Sequence, residues 1–152
     1  MKDKKTAATI LLVEDDLGDQ ELARRAFGEG MLGLSLKVVD DGEEALDYLY
    51  RRGRYADLAS FPQPDLVLLD LNLPGLDGRQ VLEKIKGAPD LRAIPVLVFT
   101  TSRQEKDIRM CYEAGANSCI VKPASTEHFV KAVRAIEDYW FEVAKLPTMA
   151  KE

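Results

Sequence analysis

The chain of 152 residues, 46% hydrophobic and 31% charged, has the size and balance of one globular domain around one core, which excludes collagenous, low-complexity and disordered classes. Its formal charge of -5, from 26 acidic against 21 basic residues, disfavours a general attraction to nucleic acid or to an anionic membrane surface. Apolar runs stay far below the roughly 20 residues that cross a bilayer, and the N-terminal lysines lead into a short apolar run ending in acids rather than a signal peptide, so a cytoplasmic location is expected.

The first apolar run, Ile10 to Val13, predicts a strand, and Asp19 to Phe27 predicts a helix whose apolar face carries Leu22, Ala23, Ala26 and Phe27. Leu34 to Val39 alternates at its start, as a strand near a sheet edge does, and Gly42 to Arg52 follows as a helix. The connection from Arg51 to Pro64 is the longest in the chain, and its basic cluster of Arg51, Arg52 and Arg54 reads as a solvated helix end. Leu66 to Leu69, Val96 to Phe99 and Cys119 to Val121 lack alternation, which suits strands covered on both faces. Between and after them lie helical segments at Arg79 to Lys86, Gln104 to Ala114 and Ser125 to about Lys145.

Five alternations of strand and helix predict an α/β fold, a doubly wound five-stranded parallel sheet with helices on both faces. Turn chemistry agrees: Pro74-Gly75 and Asp77-Gly78 follow the third strand, Gly115 closes the fourth helix, and Pro95 opens the fourth strand. Gly28 to Gly33 matches a literal G-x-G-x-x-G, but it follows a helix and precedes a strand, the reverse of the dinucleotide-binding context, so it reads as a C-cap and turn. Cys111 and Cys119 are expected as free, largely buried thiols.

In an open parallel sheet, ligands bind beyond the carboxyl ends of the strands. Those positions carry Glu14, Asp15 and Asp16 after the first strand, Asp70 after the third, Thr100 to Ser102 after the fourth and Lys122 after the fifth. Carboxylates gathered this closely repel one another, and a hard divalent cation with oxygen ligands, Mg²⁺, would relieve them. A carboxylate can accept a phosphoryl group, with Lys122 and Thr100 contacting it, which makes Asp70 the expected acceptor. Either Asp16 or Asp19 is expected to cap the first helix. His128 reads as a partly exposed helix residue, not as a ligand or base.

These residues resemble the receiver domain of bacterial two-component response regulators, the CheY-like group. The resemblance runs from about Thr9 to Tyr139 through Leu12-Val-Glu-Asp15, Pro64 to Gly78, Pro95 to Thr100 and Gly115 to Pro123. It implies a flavodoxin-like fold, with Glu14 and Asp15 as the acidic pair and Asp70 as the phosphoacceptor. It further implies Asn72 as a main-chain carbonyl ligand to Mg²⁺, Thr100 as the switch hydroxyl, Lys122 as the phosphate-binding lysine and a cis peptide between Lys122 and Pro123. A sensor histidine kinase would be the donor and an unidentified downstream protein the receiver of the signal. The family usually carries an aromatic residue where this chain has Cys119, so its readout must run through other side chains or the backbone. The long connection and extended last helix look like the single-domain regulators paired with phytochrome-type red-light sensor kinases.

The expected organisation is a tail over 1–8, a receiver over 9–145 and a tail over 146–152. A helix from Ser125 to Lys145 would be about 31 Å long and would overhang strands of about 17 Å. Tyr139, Trp140, Phe141, Val143 and Leu146 would then form an exposed patch or pack on a partner, and a homodimer through Tyr139, Trp140, Phe141 and Val143 is favoured over folding back. Two alternatives stand beside the phosphoacceptor. A haloacid-dehalogenase-like phosphotransferase would require a second Asp where this chain has Asn72, and a receiver-like interaction module without phosphorylation would leave the site residues unused.

Overall fold

The computed structural model describes residues 8–28 and 34–147. The glycine turn expected over 28–33 therefore lies, beyond Gly28 itself, outside the described residues. In chain order the elements are β1 (Thr9–Val13), α1 (Leu17–Gly28), β2 (Ser35–Val39), α2 (Gly42–Leu49), a 3-10 turn (Gly53–Ala56), β3 (Leu66–Leu69), α3 (Gly78–Gly87), β4 (Val96–Thr100), α4 (Glu105–Glu113), β5 (Ser118–Val121), α5 (Thr126–Asp138) and a π turn (Tyr139–Val143). All strand pairs are parallel, in the order β2-β1-β3-β4-β5. This is the doubly wound α/β sheet that the alternation predicts.

The unalternating apolar runs are explained by two covered faces. Leu11, Val13, Val67 and Leu69 point into the layer formed with α2, α3 and Cys111 of α4. Their neighbours Ile10, Leu12, Leu66 and Leu68 point the other way, against α1 and α5. Every residue of β1, β3 and β4 is buried. β2 is largely half-buried, as expected of an edge strand. β5 departs from expectation: it is the opposite edge and half-buried throughout, because a strand with a neighbour on one side only leaves its outer flank uncovered. A three-residue apolar run does not distinguish the two cases.

The long connection is not simply a solvated helix end. Rings of Tyr48, Tyr55 and Phe61 pack with centroids 5.0, 5.9 and 4.9 Å apart, and the Tyr48 hydroxyl donates to the Pro62 carbonyl at 2.7 Å. Arg51, in the left-handed region at φ 62°, turns its half-buried guanidinium inward and donates to the Phe61 carbonyl. Arg52 and Arg54 remain exposed and pair with Asp47 and Glu44.

The last helix is shorter than the Ser125 to Lys145 segment expected. α5 ends at Asp138 and gives way to the π turn, closed by Ala144 N–H donating to the Tyr139 carbonyl at 2.7 Å. The wider turn brings Trp140 and Phe141 partly against the α1/α5 layer, and Leu146 is fully buried at 0% exposure. The expectation of a straight overhanging helix with Leu146 in an exposed patch is therefore corrected: wrapping removes these side chains from water where a rigid overhang would leave them in it. Tyr139 and Val143 do stay outside, at 53% and 72% exposed. No helix among the described residues is long and apolar enough to cross a membrane.

Candidate functional site

Backbone hydrogen bonds carry each strand one residue past its end and fix the side chains that follow. Glu14 N–H donates to the Val39 carbonyl, Asp70 N–H to Val13 at 3.0 Å, and Lys122 N–H to Thr100 at 2.6 Å. Four strand ends thereby deliver Glu14, Asp70, Thr100 and Lys122 to one edge of the sheet, at the crevice where the strand order reverses. The approach behind Asp70 depends on glycine: a Cβ on Gly78 would collide with the Asp70 carbonyl oxygen. The same loop is closed by Gly78 N–H to the Leu71 carbonyl at 2.9 Å, and Asp77 with Gln80 forms a reciprocal cap on α3.

Glu14, Asp15 and Asp70 each place a carboxylate oxygen within 4.8 Å of the others. Glu14 and Asp70 are buried, whereas Asp15 is exposed. Asn72 N–H donates to Asp70 Oδ1 at 3.2 Å. Lys122 reaches all three acids around it, with Nζ 2.7 Å from Glu14 Oε1, 2.8 Å from Asp19 Oδ2 and 3.4 Å from Asp70 Oδ2. The lysine is thus a charge tethered on three sides. Its bond to Pro123 is trans, against the cis peptide implied by the resemblance, and trans is the commoner form of such bonds.

Burial pushes the Glu14 carboxyl up to about 7, with the neighbouring charge of Asp70 acting the same way and the Lys122 hydrogen bond only partly opposing them. Burial alone would depress the Lys122 ammonium, but hydrogen bonds to Asp19 and Glu14 and the charge of Asp70 hold it above the ordinary lysine value. One lysine therefore does not satisfy the acids at this edge. Two buried carboxyls and an exposed third with oxygens within 4.8 Å of one another, the Glu14 carboxyl pushed up by burial and then by the Asp70 charge, are a donor set that fits a divalent cation of oxygen preference.

Thr100 is fully buried, and its hydroxyl accepts from Ser102 N–H at 3.1 Å, so it is turned towards its own loop. Ser102 in turn donates to Asp107 Oδ2 at 2.6 Å, fastening that loop to α4. Beside the carboxylates lies an open cavity of about 570 Å³, lined by Asp15, Asn72, Arg79, Thr100, Ser102 and Asp107 among others.

The expected cap on α1 falls to Asp16, which accepts from Asp19 N–H at 2.8 Å and leaves the Asp19 carboxylate for Lys122. The contributors that the sequence reading missed are Asp19, Gln20, Arg79 and Tyr112. Gln20 is buried and bridges the Glu14 carbonyl and Asp40. Arg79 lines the cavity. Tyr112 of α4 accepts from Cys119 N–H at 3.1 Å through its hydroxyl, placing an aromatic side chain against β5 at the position where the chain itself has Cys119. Asp19 carried a signal, one helical turn beyond Asp15, whereas Tyr112 carried none that separates it from a surface residue. His128, in the first turn of α5, is exposed and bonded to Ser125. Both cysteines are free thiols, with Cys111 buried and Cys119 half-buried.

The chain is similar in sequence and fold to known proteins. The chain is 41% identical over 138 residues to the response regulator Rcp1 of Synechocystis, covering 91% of this chain and 92% of that one. Among solved structures it resembles the phosphorylated cyanobacterial phytochrome response regulator RcpA with a TM-score of 0.89 and 41% identity, over 93% of this chain and 99% of that one. The Mn²⁺-bound form of Rcp1 superposes with a TM-score of 0.85 and 40% identity, over 92% of this chain and 99% of that one. The response regulator receiver domain matches residues 10–134, which takes in every strand-end residue of the site, and the chain belongs to that family.

Proposed function

We propose that the chain accepts a phosphoryl group on Asp70 and signals by the change of surface that follows. The observation that carries this is the convergence of three carboxylates within 4.8 Å with an ammonium 3.4 Å from the Asp70 carboxylate. An Asp70 oxygen attacks phosphorus, the bond to the donor's leaving group breaks, and the charge that arrives lies beside Lys122. Glu14, Asp15, Asp70 and the Asn72 carbonyl would hold Mg²⁺, which supplies charge neutralisation at the transferred group. Thr100 would turn its hydroxyl from Ser102 towards the phosphoryl group. The residue two positions past Asp70 is the amide Asn72, which supplies no general acid for turnover of an external substrate, so the reading is an acceptor and not a hydrolase.

The donor is a phosphohistidine on a sensor histidine kinase. Its pairing with a phytochrome-type sensor is supported by relatives described as phytochrome and bacteriophytochrome response regulators. Incubation with acetyl phosphate and Mg²⁺ should shift the wild-type band on a phosphate-affinity gel; an equal shift in Asp70→Asn would overturn the assignment.

A homodimer through Tyr139, Trp140, Phe141 and Val143 is supported by the exposure of Tyr139 and Val143 at the end of the last helix. Sedimentation should show a dimer for the wild type and a lighter species for Val143→Asp; equal masses would remove this surface.

A further inference from the structure

An ammonium has three N–H donors, and at Lys122 three carboxylates occupy them. Two contacts are short, 2.7 Å to Glu14 and 2.8 Å to Asp19, and the third, to Asp70, is long at 3.4 Å. Short charge-assisted bonds of this kind are the strong ones. The lysine is therefore held chiefly by the two acids that accept no phosphoryl group; a group arriving on Asp70 meets one weakly engaged donor, and any closer or second contact must be taken from one of them.

The two holders differ. The Glu14 side chain is 3% exposed and belongs to the carboxylate cluster suited to a cation, whereas the Asp19 side chain is 26% exposed and stands outside that cluster. A cation on Glu14, Asp15 and Asp70 would leave Asp19 as the remaining anionic partner of the lysine. Asp19 is also the cheaper one to release, because water reaches its carboxylate and can replace the lost bond, whereas a released Glu14 would stay buried. Its position does not drift, since Asp19 N–H is held by Asp16 in the first turn of α1.

We propose that Asp19 is a positioning residue for Lys122: it holds the ammonium back from Asp70 in the unmodified chain and competes with the phosphoryl group for it. Phosphorylation then exchanges the Asp19 contact for a phosphoryl oxygen and frees the first turn of α1 from β5, the strand that Lys122 follows. The inference rests on the phosphoacceptor reading of Asp70.

The test uses beryllium trifluoride, a phosphoryl analogue that attaches to a carboxylate, titrated calorimetrically with Mg²⁺ into the full chain. Asp19→Asn should bind it about tenfold more tightly, equivalent to about 1.4 kcal/mol. Asp19→Glu, which keeps the charge on a longer arm, should stay within about threefold of wild type. In a Lys122→Met background Asp19→Asn should change nothing. A gain that survives in Lys122→Met would mean that Asp19 acts through space and would overturn the proposal, as would unchanged or weaker binding by an Asp19→Asn chain with an intact circular dichroism spectrum.

A second readout needs neither metal nor analogue. Acetylation of Lys122 by acetic anhydride, followed by mass spectrometry against the other lysines, should accelerate at least about threefold in Asp19→Asn, because the neutral amine is the nucleophile and the ammonium loses a carboxylate that stabilises it. If the wild type fails to bind the analogue, the phosphoacceptor reading falls; equal acetylation of Lys122 in both chains would instead sink the positioning role.

Discussion

Glu14 shows how a single residue at this edge links pH to stability. Its folded-state value of about 7 lies above the ordinary 4.5, so its contribution to stability is complete below about pH 4.5 and is lost as pH rises through about 7. In chelator-treated protein, urea denaturation at pH 8 should show a deficit relative to pH 5 that Glu14→Gln reduces by about 2 kcal/mol. An equal pH dependence in both chains would show that Glu14 is not the group responsible. Gly78 makes the complementary point about backbone. Because a Cβ there meets the Asp70 carbonyl, Gly78→Ala should cost about 1–3 kcal/mol and slow phosphorylation, as the two ends of that loop are forced apart. Asp70 was legible as a residue because it ends an apolar strand run; the closeness of Gly78 to it was visible only as a turn signal.

Among the elements, the C-terminal segment separates what pattern reveals from what packing decides. The seam from Phe129 to Val143 is apolar at helical spacing, yet the helix stops at Asp138 and a wider turn carries the chain back to bury Leu146. Leu146→Ala should therefore destabilise the chain by about 2–4 kcal/mol in urea unfolding, whereas Val143→Asp, at a site 72% exposed, should change monomer stability by less than about 0.5 kcal/mol. Comparable losses in the two would contradict the fold-back. Periodicity recorded that these side chains avoid water, but not which surface covers them. The connection after α2 behaves similarly. Its Arg, Tyr and Phe residues looked like a basic loop, and only the packed rings and the Tyr48 bond to Pro62 show an aromatic cluster.

Over the whole molecule, the five-stranded sheet gathers three carboxylates at one rim, where they repel one another. A ligand that relieves this repulsion binds the folded chain alone and stabilises it by mass action. Mg²⁺ at 100 times its dissociation constant should add about 2.7 kcal/mol, which for a domain of this size raises Tm by about 5–10 °C. Asp15→Asn should abolish most of that rise in differential scanning calorimetry, and an undiminished rise would place the cation elsewhere.

The layer order and the strand-end chemistry were legible in the chain because both follow from local patterns. Unalternating apolar runs require two covered faces, and a polar residue that ends such a run emerges at the sheet edge. That was enough to place Glu14, Asp15, Asp70, Thr100 and Lys122 at one rim. The assembled tertiary structure alone settles contacts that local spacing does not encode: Lys122 against Asp19, 103 positions away, Tyr112 with the main chain of Cys119 across the α4–β5 turn, and the burial of Leu146. No local periodicity encodes such pairs. They depend on which side chains meet once the sheet has closed, and there the surface-like Asp19 became one of the two closest partners of the buried lysine.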